Sequence, residues 1–89
     1  MAKVLVKIKV MPVSPEVDKE ALKEKVKETV EKMDTLCRGI NDEPLAFGLY
    51  SINVMVEMEE KEGGTEPIEN ALNELEDVES AEVLEVSLA

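Results

Sequence analysis

The chain has 89 residues, 44% of them hydrophobic and 35% charged, a size and composition that suit one globular core rather than two cores or disorder. Its net charge of −11 sets it against nucleic acid, because affinity for a polyanion comes from Lys and Arg neutralising phosphates; acid can instead solvate the surface or steer a basic protein partner. With no His and a single Cys, imidazole-activated nucleophiles and ordinary zinc sites are excluded.

In residues 3–10, Val4, Val6, Ile8 and Val10 alternate with Lys3, Leu5, Lys7 and Lys9, the period of two that marks a half-buried strand. Pro12 cannot donate to a ladder and is expected to end it. Ser14-Pro15-Glu16 offers a hydroxyl cap, a pre-set φ and an acid for a first helical turn, and Asp18 is a second candidate cap. Leu22, Val26, Val30 and Met33 then fall on one stripe, which predicts an amphipathic helix to about residue 33 that needs a sheet to lie on.

Leu36, Arg38 and Ile40 predict a short edge strand, closed by residues 39–44. Residues 45–58 carry the longest strand signal. Tyr50, Ile52, Val54, Val56 and Met58 form its buried face, and Leu49, Ser51, Asn53, Met55 and Glu57 a mixed one, as in an antiparallel sheet with one open face. Residues 59–62 with Gly63-Gly64 predict a turn. Thr65 reads as the cap of a second helix, with Glu66 and Pro67 in its first turn and Ile68, Ala71, Leu72 and Leu75 as its stripe. The last strand spans Val78 to Leu88, with Ala81 and Val83 on one face and Leu84, Val86 and Leu88 on the other, a change of phase that a bulge produces.

The order β-α-β-β-α-β predicts an α+β, ferredoxin-like sandwich: a four-stranded antiparallel sheet with two helices on one face and the first and third strands at its centre. No linker divides the chain, so residues 1–89 are expected to form a single domain. This fold serves many functions. An RNA-recognition version carries aromatics on the open faces of its central strands, where this chain has lysines, Leu49, Ser51, Asn53 and Met55; a metal-chaperone version carries two cysteines in its first loop, and residues 11–15 have none. A non-catalytic protein-binding or scaffolding domain stays open on these grounds.

No apolar run approaches the roughly 20 residues of a bilayer span. The alternating N-terminus does not read as a signal peptide, and the lone Cys37 points to a reducing, cytoplasmic setting. Cys37 reads as a small apolar filler. Glu57, Glu59, Glu60 and Glu62 lack calcium-loop spacing and read as a solvated turn, so neither metal nor cofactor is expected.

Ile8-Lys9-Val10-Met11-Pro12, Ser14-Pro15-Glu16-Val17-Asp18, Glu43-Pro44-Leu45-Ala46-Phe47-Gly48-Leu49, Asn53-Val54-Met55-Val56 and Glu62-Gly63-Gly64-Thr65-Glu66 together resemble the archaeal elongation factor 1-beta family over essentially the whole chain. The block around Phe47 is the most specific of them. The resemblance implies the same fold and a guanine-nucleotide exchange activity. In it, GDP is released from the GTPase elongation factor 1-alpha, bound in its GDP-loaded and nucleotide-free forms, without enzymatic chemistry, nucleic acid or membrane. Phe47 matches the aromatic that related factors press onto that GTPase, on a turn shaped by Pro44, Ala46 and Gly48. From the residues alone Phe47 reads instead as a core aromatic, since single aromatics are usually buried. Eukaryotic relatives place a lysine next to the C-terminus, in the partner's Mg²⁺ region; here no Lys or Arg follows Lys61. That role does not pass to Leu88, which is still expected near the interface, with the tail ending close to the Phe47 turn.

Overall fold

The computed structural model describes residues 3–33, 35–59 and 64–88. The alternation of the first segment is realised as strand β1 (Lys3–Pro12), whose Val4, Val6, Ile8 and Val10 are buried. Helix α1 (Lys19–Glu31) follows, then β2 (Leu36–Pro44), a 3₁₀ turn (Ala46–Gly48), β3 (Tyr50–Glu59), helix α2 (Glu66–Asn73) and β4 (Val78–Leu88). The strands make one antiparallel sheet in the order β2-β3-β1-β4. The ferredoxin-like arrangement is therefore present, with β1 and β3 at the centre.

Opposed residues of an antiparallel pair point to the same side of a sheet. Val6 faces Val56, Ile8 faces Val54 and Val10 faces Ile52, and this row is the floor of the core. Leu22, Val26 and Val30 of α1 and Ile68 and Leu72 of α2 cover it, each at most 2% exposed. Met33, Cys37, Ile40, Leu75 and Val83 pack around its margin, so Cys37 does fill space. The other face lies open. It presents Lys7, Asn53 and Met55 beside a shallow groove lined with Arg38 and Asn41, and neither aromatic of the chain is on it.

The boundaries move for identifiable reasons. Asp18, not Ser14, caps α1: its carboxylate accepts from the Glu20 and Ala21 amides at 3.0 and 3.5 Å. Ser14 accepts from Glu16 N–H at 3.1 Å and so holds a turn ahead of the helix. Pro12 ends β1 as expected and is its last, buried residue. Strand β2 runs on to Pro44, longer than expected, because a shift in register between Cys37 and Gly39 leaves Arg38 as an extra residue and resets the alternation. Thr65 occupies the cap position of α2 with φ −94° and ψ −6° and makes no side-chain cap bond. Of the turn predicted over residues 59–64, residues 60–63 lie outside the described residues, while Glu59 ends β3 and Gly64 takes φ 56°.

In β4 the expected bulge is present, with Glu85 opposite Lys7 and Val83 opposite Ile8, Leu84 being the extra residue. It corrects the predicted faces. Because the bulge resets the phase, Val86 opposite Val6 and Leu88 opposite Val4 return to the helix side with Ala81 and Val83. They are nevertheless 51% and 74% exposed. An eight-residue helix covers about 12 Å, whereas an eleven-residue strand runs about 36 Å. Helix α2 cannot reach that far.

Candidate partner-docking site

The β2–β3 hairpin is where sequence and structure part most clearly. The strand signal over residues 45–58 runs through the turn without a break, yet β3 begins only at Tyr50. Leu45 and Leu49 bracket a three-residue loop. Leu45 N–H donates to Leu49 C=O at 2.7 Å and Leu49 N–H to Ala46 C=O at 3.2 Å. To close so tightly, both remaining loop residues take the left-handed region: Phe47 with φ 63° and ψ 30°, Gly48 with φ 77°. Glycine enters that region freely, and this is what position 48 requires. For Phe47 it is strained.

Phe47 is also 96% exposed. The reading of it as a core aromatic is overturned: the turn throws the ring outward, past the end of the sheet. Pro44, Ala46 and Gly48 are exposed around it, so four of the five candidate docking residues form one small projection. Tyr50 behaves as its strand position predicts and is buried at the base.

The base is fastened. Asp42 points to the helix side with its partner Ile52. It accepts from Lys23 Nζ at 3.0 Å and lies 3.5 Å from Lys19 Nζ. The Lys23 hydrogen bond, followed by the charge of Lys19, holds the Asp42 carboxyl below its usual range against the opposing effect of burial. The hydrogen bonds that Lys23 donates to Asp42 and then Glu20 raise its pKa in turn. Across the hairpin, Tyr50 OH donates to Val17 C=O at 2.6 Å, and Lys19 Nζ stands 5.8 Å from the Tyr50 ring centre. Burial pushes the Tyr50 hydroxyl up, and the charges of Asp18, Asp77 and Asp42 push it further. Of these features only the apolar face of Tyr50 was readable beforehand. The Lys19–Lys23 pair, one helical turn apart, and Asp42, in phase with Ile40, were the available signals for the rest.

Leu88 is not part of this projection. It pairs with Val4, which pairs with Met58, whereas the turn adjoins Tyr50. Eight strand residues separate the two places, about 27 Å at ~3.4 Å per residue. The expectation that the tail ends close to the Phe47 turn is corrected: β4 runs antiparallel to β1 and finishes where β1 starts, at the opposite end of a molecule 43 Å long. Among the described residues no group of three or more acid or thiol side chains is placed to hold a metal ion, and no helix is long and apolar enough to cross a membrane. Glu57 instead lies 3.6 Å from Lys3 and 3.9 Å from Arg38, and Glu60 and Glu62 fall outside the described residues.

The sandwich carries an exposed aromatic on strained backbone at one end, and comparison with known proteins gives its class. The family described as "EF-1 guanine nucleotide exchange domain" matches residues 5–88, and the chain belongs to that family. It is 72% identical over 88 residues to "Elongation factor 1-beta" of Methanococcus maripaludis strain C6, covering 99% of each chain. It is 68% identical over 89 residues to the protein of that name from Methanocaldococcus jannaschii, covering all of both. Its role is guanine-nucleotide exchange in translation elongation, and the partner this implies is the GTPase elongation factor 1-alpha. A distant structural likeness, to the solution structure of the C-terminal domain of the MgtC protein from Mycobacterium tuberculosis, has a TM-score of 0.62 at 12% identity, covering 100% of this chain and 88% of that one. It concerns the fold alone.

Proposed function

We propose that residues 1–89 act as one cytoplasmic domain that binds elongation factor 1-alpha in its GDP-bound and nucleotide-free forms, with the Phe47 turn (Pro44, Ala46, Phe47, Gly48) as a docking contact and Leu88 as a second contact at the far end. The observation that carries this reading is the Phe47 side chain, 96% exposed on a left-handed backbone. Residues held in sparsely populated backbone conformations cluster at binding and switch sites, and this one presents an uncovered ring.

No bond is made or broken in this role, so the protein is not an enzyme in the covalent sense. An exchanger that binds the empty GTPase more tightly than the loaded one must lower nucleotide affinity by the same factor, typically about 5- to 150-fold. What the exchanger contributes is shape and differential contact. Its net charge of −11 speeds association with a basic surface and weakens with salt, and it disfavours direct nucleic-acid binding.

The test is release of a fluorescent GDP analogue from archaeal elongation factor 1-alpha, with and without the protein, over a range of Mg²⁺ concentrations. Acceleration that is lost in Phe47→Ala, with the circular dichroism spectrum unchanged, supports the reading. No acceleration at saturating protein refutes it and leaves a non-catalytic binding domain in its place. Removal of residues 87–89 tests Leu88 separately, and an unchanged rate removes it from the contact.

A further inference from the structure

We propose that Asp42 and Tyr50 are positioning residues for Phe47: they fasten the two legs of the hairpin to the start of α1 and thereby fix where the exposed ring stands. This deepens, and rests on, the reading of Phe47 as a docking side chain. The turn cannot hold its own direction. Ala46, Phe47 and Gly48 are exposed and have no core to lean on, and the two backbone bonds that close the loop tie it only to itself. Its orientation is therefore set at its base.

Each leg carries one anchor there. Asp42 stands two positions before Pro44 and Tyr50 two positions after Gly48. Both reach the same short stretch of chain. Asp42 takes Lys23 and Lys19 at 3.0 and 3.5 Å, and Tyr50 OH reaches the Val17 carbonyl at 2.6 Å. The Lys19 ammonium also stands over the Tyr50 ring, so one side chain touches both anchors. Burial explains the Tyr50 ring, but it does not require the hydroxyl to bond outside its own hairpin or an acid to stand at position 42. A two-legged brace across the hairpin accounts for both.

A neighbouring ion pair supplies the control. Lys25 Nζ binds Asp77 at 2.8 Å and ties the same helix to the connection between α2 and β4 rather than to a leg of the hairpin. The experiment measures the second-order rate constant of GDP release for Asp42→Asn, Tyr50→Phe and Lys25→Ala, each with Phe47 intact and with Phe47→Ala, at a temperature where all are folded. Asp42→Asn and Tyr50→Phe are expected to slow release about tenfold, and by less than about twofold once Phe47 is gone, because a residue acting through another loses its effect with it. Lys25→Ala is expected to change neither rate. In Asp42→Asn the Leu45 and Leu49 amides should exchange with deuterium faster, while those of β1 do not.

Equal slowing in both backgrounds overturns the brace, since Asp42 would then act without Phe47. Loss of activity in Phe47→Ala with none in Asp42→Asn or Tyr50→Phe overturns the brace and spares the docking reading. An unchanged rate in Phe47→Ala overturns both.

Discussion

Replacing Phe47 by glycine should separate stability from activity, moving them in opposite directions. A non-glycine residue in the left-handed region costs about 1–2 kcal/mol, and glycine removes that cost. Glycine also loosens the unfolded chain, which takes back about 0.4–1 kcal/mol. Little packing is lost. Phe47 is 96% exposed, and the few per cent of a ~200 Å² side chain that is covered contributes about 0.2 kcal/mol at ~25 cal/mol per Å². The net is a gain of about 0.5 kcal/mol, which raises Tm by a few degrees in a domain of this size. Phe47→Ala keeps the strained φ and should not share the gain, so the pair isolates the backbone term. Thermal unfolding followed by circular dichroism reads the first effect and stimulated GDP release the second. A docking hot spot of about 2 kcal/mol corresponds to a loss of roughly 30-fold. The reasoning is refuted if Phe47→Gly lowers Tm by several degrees, which would mean that the ring packs against the protein in solution.

Three further outcomes follow from the same structure. Tyr50 is the only tyrosine and tryptophan is absent, so absorbance at 295 nm titrates this one group, and its midpoint should lie above the ordinary value of about 10. Because its folded pKa is raised, the stability it contributes is complete below that ordinary value and is lost as pH rises through the folded one. Asp42 has the opposite sign: its folded pKa is lowered, so its contribution is present above about pH 4 and disappears as pH falls through the folded value, and Asp42→Asn should show a shallower acid loss of Tm between pH 5 and 2. Leu22, fully buried under α1, should cost about 3 kcal/mol on truncation to Ala in urea unfolding.

The strands and helices were legible because one face of each is buried, and burial writes itself into the sequence at a period of 2 or 3.6. What burial does not control was not legible. A left-handed Phe47 leaves no periodic trace, and the alternation extrapolated straight through it; the punctuation was there in Pro44 and Gly48, bracketing the loop from both sides. Bulges at Arg38 and Leu84 shift the phase by one residue, so every face assignment beyond them inverts unless the bulge is counted in. The Asp42–Lys23 pair joins positions 19 apart, which no local pattern records. The placement of Leu88 is different in kind. Once the last strand is antiparallel to the first, its end must lie beside residue 4, and the β2–β3 turn must lie at the other end. That deduction was available from the element order alone.

On the docking reading proposed above, the strain at Phe47 has a physical rationale in binding. A flexible loop carrying the same ring would fold more easily, but each rotamer-rich side chain or loop residue ordered at an interface costs about 0.5–1.5 kcal/mol at the moment of association. An exchanger can use only the difference between its affinities for the empty and the loaded GTPase, so binding energy consumed in ordering its own loop is lost to that difference unless both states bear it equally. Holding Phe47 in the left-handed region moves the cost to the folding step, where the sixteen buried apolar residues among those described offset it. The ring is then presented in one orientation before any partner arrives. On this argument the hairpin base matters as much as the ring: a Phe47 with the right exposure on a swinging hairpin would bind both forms of the GTPase weakly and distinguish them poorly.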